Sequence, residues 1–386
     1  MVFIAPDTNY TSAKSNRTET QLTDSLLFPY IGKISKQTDV MIFLLEGVSE
    51  SHFTSSVNNN FNKKYPNWKI ENFFISMPHS SKSIYTLLTG KLQIHESRPK
   101  INDNDAKFSL PKHFQNWGYQ TSFYTSQPLI IENLEQISET FFMERDDQIS
   151  LSKKFPSFSS FSWGIDDAVL LDRITLDLNV NKPLFSILYF SNTHSPYFVS
   201  DRNSFLLGDK SDSFSRFKAA LNYNFEIIEQ IINLVKKERN RDTLFIIISD
   251  HGESFGERNF HHHNYSLYDS ETKVPAIFIY NKDLKQRIFH SGAMKDFKLS
   301  LLSLFESNNS NSNFFTLGYK LKLLLKSWNS DAYLGIIEDD KKLIFHKENN
   351  RLFELDLMEF NEKELTDNKD KFKFMDQYTK LLNQFP

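Results

Sequence analysis

Four stretches of this sequence bring together residue types that can do chemistry. The first is IIISDHGESFGE (246–257), where Asp250, His251 and Gly252 directly follow an apolar run. A carboxylate and an imidazole on one tight loop form a mixed oxygen and nitrogen donor pair. Such a pair suits zinc or manganese better than magnesium or calcium. The plain alternative is a capping Asp beside a surface His. The second is Glu46, which closes the apolar run VMIFLLE and is either a metal ligand or a helix N-cap. The third is PHSSKSIYTLLTG (78–90), with Ser80 just before a helix. Free N–H groups and the dipole at a helix start favour an anion there. A hydroxyl at that point can attack a phosphate or sulfate held by the same helix end, or Ser80 or Ser81 is simply an N-cap. Lys82, in the first turn, adds positive charge there or faces solvent. The fourth is HHHNYSLYDSETKVPAIFIY (261–280), where three adjacent histidines form a surface metal-binding tract or send one member into a cleft. His194, in SNTHSPY, is a lone loop histidine, structural or functional.

These residues need elements to position them. The run 39–47 reads as a buried parallel strand ending in an acidic loop, and 243–253 repeats that pattern. PLFSILYF (183–190), TSFYTS (121–126) and VPAIFIY (274–280) read as further strands. Helical spacing is predicted over 81–90, with Gly90 at its C-terminus, over 163–178, over 214–237 and over 295–305. Strands alternating with helices predict an α/β fold, a doubly wound and mostly parallel sheet flanked by helices. Ligands bind such sheets at the carboxyl ends of the strands, where Glu46, His194 and Asp250 all fall. After an Asn/Ser-rich loop (307–313) and a crossing segment (310–328), short strands at 332–337, 341–347 and 351–357 and a helix at 371–382 predict a small C-terminal antiparallel sheet plus helix. The expected organisation is an irregular lead-in (1–35), a catalytic domain (36–310) and a small subdomain (311–386).

Composition narrows the classes of function. The formal net charge of −3 and the lack of a long basic run disfavour nucleic acid as a partner. With no cysteine, disulfides, thiolate metal sites and a Cys nucleophile are excluded. No stretch reaches the ~20 apolar residues of a membrane span. The first twenty residues do not read as a signal peptide. The expectation is a soluble domain, either cytoplasmic or with an export or anchor segment outside this chain. Phe is abundant, 37 of 386 residues, which reads as coding bias because no site needs so many.

Taken together, these segments resemble the alkaline phosphatase/sulfatase superfamily over roughly residues 39–365. The resemblance places Glu46 as the first acidic ligand and Ser80 as the nucleophile, located by LLTG (87–90). It places Asp250 and His251 as the Asp-His-Gly ligands, with Ser80 taking a further position on the metal. His263, with His262 a close second, matches the substrate-side histidine, and His194 matches the histidine of a His-x-Pro loop. The C-terminal LFELDL resembles the closing Leu-Tyr-Asp-Leu of the family. Formylglycine sulfatases carry Pro two residues and Arg four residues after the nucleophile, whereas Lys82 and Ile84 stand there. The unmodified hydroxyl is similar to the phosphoethanolamine and phosphoglycerol transferases, including lipoteichoic acid synthase, where Thr is usual.

The resemblance implies one divalent ion, Zn2+ or Mn2+ with Mg2+ or Ca2+ less favoured. It also implies phosphoryl transfer or phosphodiester hydrolysis through a Ser80 ester. The substrate would be a phosphoester, lipid or glycan linked. Sulfate-ester hydrolysis and a catalytically dead binding module are the alternatives. Consecutive residues cannot readily turn toward one ion, so His261 is expected to face outward while His194 and His263 line the cleft opposite the metal ligands.

Overall fold

The computed structural model describes residues 34–56, 59–65, 67–95, 98–200, 212–280, 287–306, 322–327, 332–357 and 361–383. The lead-in up to residue 33, the Asn/Ser-rich loop and most of the crossing segment lie outside the described residues.

The apolar runs become buried strands. The strands, in chain order, are β1 (Asp39–Leu45), β2 (Trp68–Phe74), β3 (Gln120–Thr125), β4 (Glu144–Asp146), β5 (Leu184–Phe190) and β6 (Thr243–Ser249). A short ribbon, β7 (Ser254–Phe255) and β8 (His261–His262), precedes β9 (Ala276–Tyr280) and β10 (Arg287–Ala293). The eight-stranded sheet runs β10-β2-β9-β6-β1-β5-β3-β4. Every residue of β1, β5 and β6 is buried, as expected for strands covered on both faces. Pairing is parallel along β6-β1-β5-β3-β4 and between β10 and β2, so the fold is the mostly parallel α/β arrangement.

β1 shows how the layers are specified. Val40, Ile42 and Leu44 face a layer with Ile84, Leu87 and Leu88 of helix Ser80–Thr89 and Phe297 and Leu301 of helix Met294–Ser303. Met41, Phe43 and Leu45 face the opposite layer, with Phe217, Leu221, Ile228 and Ile232 of the long helix Ser213–Glu238. Alternation along the strand divides the core between two helix layers.

Three features depart from the sequence reading. The strand of the 274–280 run is antiparallel to both neighbours, β6 and β2. Strand β2 (WKIENFF) was not anticipated, since its alternation of charged and apolar residues is short. The 163–178 helix shrinks to Val169–Thr175. Before it, Asp166 accepts from Ala168 N at 2.9 Å, and Asp167 accepts from Ser191 N at 2.9 Å and Asn192 N at 2.7 Å. These carboxylates serve loop backbone in place of a first helical turn.

The C-terminal piece is a five-stranded antiparallel sheet, β11 (Lys322–Lys326), β12 (Tyr333–Glu338), β13 (Lys341–His346), β14 (Arg351–Asp356) and β15 (Glu362–Leu365), followed by helix Asn368–Leu382. One of its faces packs Leu324, Ile336 and Leu352 with Phe374 and Tyr378 of that helix, and with Met77 and Leu92 beside the Ser80 helix. The other buries Leu323, Leu325 and Ile337 against Phe74, Leu267 and Ala293.

Candidate active site

Register alone brings the acidic residues together. Leu45 pairs with Phe190 on one side and Ser249 on the other. The next residues, Glu46, Ser191 and Asp250, therefore leave the sheet at one level, at its carboxyl edge. Gly47 follows with φ of 66°, and its N–H donates to Asp250 Oδ1 at 3.1 Å. Gly252 donates its N–H to Glu271 O at 2.9 Å, and a Cβ there would lie 2.1 Å from Ser270 O. Only glycine fits that crossing of two loops.

Ser80 is the first residue of its helix. The N-cap residue His79 makes no side-chain capping bond, so the first-turn N–H groups are not capped from within the chain's own turn. Ser80 Oγ lies 3.0 Å from His251 Nε2 and 3.4 Å from Glu46 Oε1. His251 Nε2 is 3.2 Å from Glu46 Oε1 and 3.5 Å from Asp250 Oδ2. His251 Nδ1 donates to Gly252 O at 3.0 Å, which leaves Nε2 turned toward the carboxylates and Ser80. His263 joins them, as Glu46, His251 and His263 each offer a ligand atom within 4.8 Å of one another. It thus sits beside the acidic cluster and not across from it.

His194 stacks flat on Trp163, with centroids 3.8 Å apart and planes within 1°, and its ring is 6.2 Å from that of His263. Its Nδ1 donates to Ser195 O at 2.9 Å. His261 and His262 are exposed. Lys82 is buried and donates to Gln93 O at 2.5 Å, so it neither faces solvent nor lines the cleft at Ser80.

Three residues of this region carried no signal in the sequence, and a fourth, Glu253, closes the run Asp-His-Gly-Glu. Tyr189, inside β5, donates to Glu46 Oε2 and lies 2.7 Å from Asp250 Oδ2. Glu253 binds His263 Nδ1 at 2.7 Å and accepts from Tyr197 Oη at 3.1 Å. Trp163 supports His194, and its Nε1 donates to Gln127 Oε1 at 2.8 Å. Glu132 reaches His79 Nδ1 at 3.2 Å. Each depends on strands or loops distant in sequence.

The electrostatics fit a cation. Burial works to raise Glu46, but the hydrogen bond and charge of His251 hold it well below the carboxylate range. Asp250 is pushed up to about 6 by burial and by the Glu46 charge. Burial disfavours the His251 imidazolium, yet the charges of Asp250 and Glu46 raise it to about 10. Two buried carboxylates therefore hold a proton on an imidazole whose free nitrogen points between them. The same donor set, oxygen and nitrogen together, suits a divalent ion such as zinc or manganese in the proton's place. Glu253 is held at about 2, since the His262 and His263 hydrogen bonds outweigh its burial.

A family model described as Sulfatase matches residues 47–307. A solved protein of the alkaline phosphatase superfamily from Vibrio parahaemolyticus superposes with a TM-score of 0.65 at 19% identity, covering 89% of this chain and 85% of its own. The lipoteichoic acid synthase LtaP from Listeria monocytogenes gives a TM-score of 0.59 at 12% identity over 93% of this chain and 95% of its own. The soluble domain of lipooligosaccharide phosphoethanolamine transferase A from Neisseria meningitidis gives 0.55 at 13% identity, covering 70% and 88%. Among the described residues no helix is long and apolar enough to cross a membrane.

Proposed function

This chain belongs to the sulfatase family of the alkaline phosphatase superfamily, and from that premise we propose a metal-dependent phosphoryl transferase or phosphodiester hydrolase with Ser80 as nucleophile. The observation that carries the reading is the position of Ser80 Oγ at a helix N-terminus, 3.0 Å from His251 Nε2 and 3.4 Å from Glu46 Oε1.

Glu46, Asp250 and His251 would hold the ion, with Ser80 completing its ligands. When bound, a divalent cation there lowers the pKa of a coordinated hydroxyl and offsets oxygen charge as it develops. Ser80 Oγ, ionised, attacks phosphorus, forming one Ser80–phosphorus ester as the bond to the leaving oxygen breaks. The first-turn N–H groups of its helix face the phosphoryl oxygens. His263, oriented by Glu253, and His194, held flat by Trp163, bind those oxygens or give the leaving oxygen its proton. Water or an alcohol then attacks phosphorus and releases Ser80. Which of these arrives separates hydrolysis from transfer. The substrate class we propose is a phosphodiester, lipid or glycan linked.

The test uses the full chain loaded with zinc or manganese and bis(4-nitrophenyl) phosphate. Ser80→Ala should remove turnover and the Ser80 adduct seen by mass spectrometry, while elemental analysis still finds the metal. Full activity in both Ser80→Ala and Ser81→Ala overturns the covalent route. Sulfate-ester hydrolysis is the second reading, favoured by the family match. Formylglycine in the Ser80 peptide together with turnover of 4-nitrophenyl sulfate would establish it.

A further inference from the structure

The loop Leu129–Asn133 brings a carboxylate to the mouth of the Ser80 helix. Glu132 Oε2 stands 3.2 Å from His79 Nδ1 and 3.5 Å from Ser81 N, the latter at the outer limit of a hydrogen bond. Its side chain is 31% exposed. Glu132 and Asn133 both hold left-handed backbone, with φ of 53° and 69°. Side chains with a Cβ adopt that region at a cost, and here the consequence is that Glu132 is aimed at the helix start. Asn133 fixes the turn by donating to Pro99 O at 2.9 Å and Gln136 Oε1 at 2.7 Å. Lys82, in the first turn of the same helix, is engaged elsewhere and donates to the Gln93 carbonyl.

We propose that Glu132 is a specificity-determining residue that admits monoanionic phosphodiesters and excludes dianionic phosphomonoesters. A phosphoryl oxygen that takes the Ser81 N–H meets this carboxylate at van der Waals range. A diester brings one negative charge, shared between two oxygens, and can turn an esterified oxygen toward Glu132. A monoester brings about two charges over three oxygens near pH 8 and has no such face to present. The extra charge meets Glu132 in a partly buried setting, where Coulomb repulsion is less screened than in water. Burial, first, and then the charge of Glu46 raise Glu132 above its ordinary value, against the pull of the Ser81 N–H and of His251 and His263. This inference rests on the Ser80 reading for the location of the phosphoryl group.

The experiment titrates two anions into the metal-loaded full chain by calorimetry. Inorganic phosphate stands for the dianion and diethyl phosphate for the monoanion. Glu132→Gln should tighten inorganic phosphate by about tenfold or more, with diethyl phosphate unchanged within about twofold. In parallel, kcat/KM for 4-nitrophenyl phosphate should rise relative to bis(4-nitrophenyl) phosphate by a similar factor. Equal changes for both anions, or none, overturn the proposal. If wild type turns over neither ester, the proposed reaction fails, and the two titrations still judge Glu132 alone. Glu132→Gly, which accepts left-handed backbone without strain, is the second variant should the Gln form not fold.

Discussion

One phenol hydroxyl faces two buried carboxylates at Tyr189. A phenol carries a single proton and can donate it to only one oxygen at a time. Burial first, then the charges of Asp250 and Glu46, push Tyr189 well above its ordinary value, so it stays a donor. The second carboxylate must find its positive partner elsewhere, in the His251 proton or in a metal ion. Tyr189→Phe should therefore lower the stability of the metal-free protein by about 1.5–3 kcal/mol, as expected for a hydrogen bond to a charged group. The metal-loaded protein should lose less, because the ion then neutralises both carboxylates. Thermal denaturation with and without zinc checks this: the rise in Tm on adding zinc should be larger in the variant than in wild type. An equal rise would show that the hydroxyl does not compete with the ion for the carboxylates. Glu46, Ser80, Asp250 and His251 stood out in the sequence because each sits where an element ends or begins, and ends are marked by a change from apolar to polar. Tyr189 did not, because an aromatic residue inside an apolar strand looks like core until its neighbours on β1 and β6 are known. Trp163 and Glu132 escaped notice for a similar reason, since their partners lie on loops fixed only by the fold.

Elements were legible in proportion to how much of their periodicity is local. β1, β5 and β6 are continuous apolar runs, and the helix Ser213–Glu238 repeats its buried stripe over 26 residues. β2 was missed because Lys69 and Glu71 interrupt it, and it is a strand because β9 and β10 flank it. The direction of β9 was equally hidden. The connection between β6 and β9 carries the Asp-His-Gly turn, the β7–β8 ribbon and a four-residue helix Asp269–Thr272, and nothing in its composition states which way the chain re-enters the sheet. That helix matters to the site. Ser270 O leaves no room for a Cβ at residue 252, and Glu271 O takes the Gly252 N–H. Glu271 also holds the preceding loop through Tyr265 N and Ser266 N, both at 3.1 Å. Gly252→Ala should push the Asp250–Gly252 turn off the short helix, which is backbone against backbone and cannot be relieved by a rotamer change. We expect a stability loss of roughly 1–3 kcal/mol from overpacking, with zinc affinity reduced because His251 moves. Urea denaturation and a zinc titration measure the two effects. Unchanged zinc affinity with normal stability would mean the two loops can separate freely.

At the scale of the whole molecule, the C-terminal sheet is tied to the catalytic layer by groups that respond to acid differently from the site itself. Lys342 is fully buried and reaches Asp269 Oδ1 at 2.8 Å and Thr272 Oγ1 at 2.7 Å, joining β13 to the short helix behind the Asp-His-Gly turn. Beside it in the same strand, His346 is enclosed by rings, with Tyr333 at 4.5 Å, Phe353 at 4.8 Å and Tyr268 at 6.2 Å. Burial, then the charges of Arg351 and Arg258, lower His346 to about 4, against the weaker pull of Glu364. The sign follows from proton counting. Below the ordinary histidine value of about 6.5 the unfolded chain takes up a proton that the folded ring refuses, so unfolding gains protons and stability falls with pH. The loss begins near pH 6.5 and is complete near pH 4, where the folded ring also protonates. The shift corresponds to ~3 kcal/mol at most, less in practice because His346 is only half-buried. His346→Phe removes the titration and keeps the ring contacts. Its Tm should therefore fall less than that of wild type between pH 7 and about pH 4.5, with the two proteins similar at pH 7 apart from the lost hydrogen bond between His346 Nε2 and Tyr268 Oη, 3.4 Å apart. Differential scanning calorimetry across that range, on metal-free protein so that ligand protonation does not enter through metal release, reads the difference directly. Parallel Tm curves for the two proteins would place the acid sensitivity of this fold elsewhere than in the contact between its two sheets.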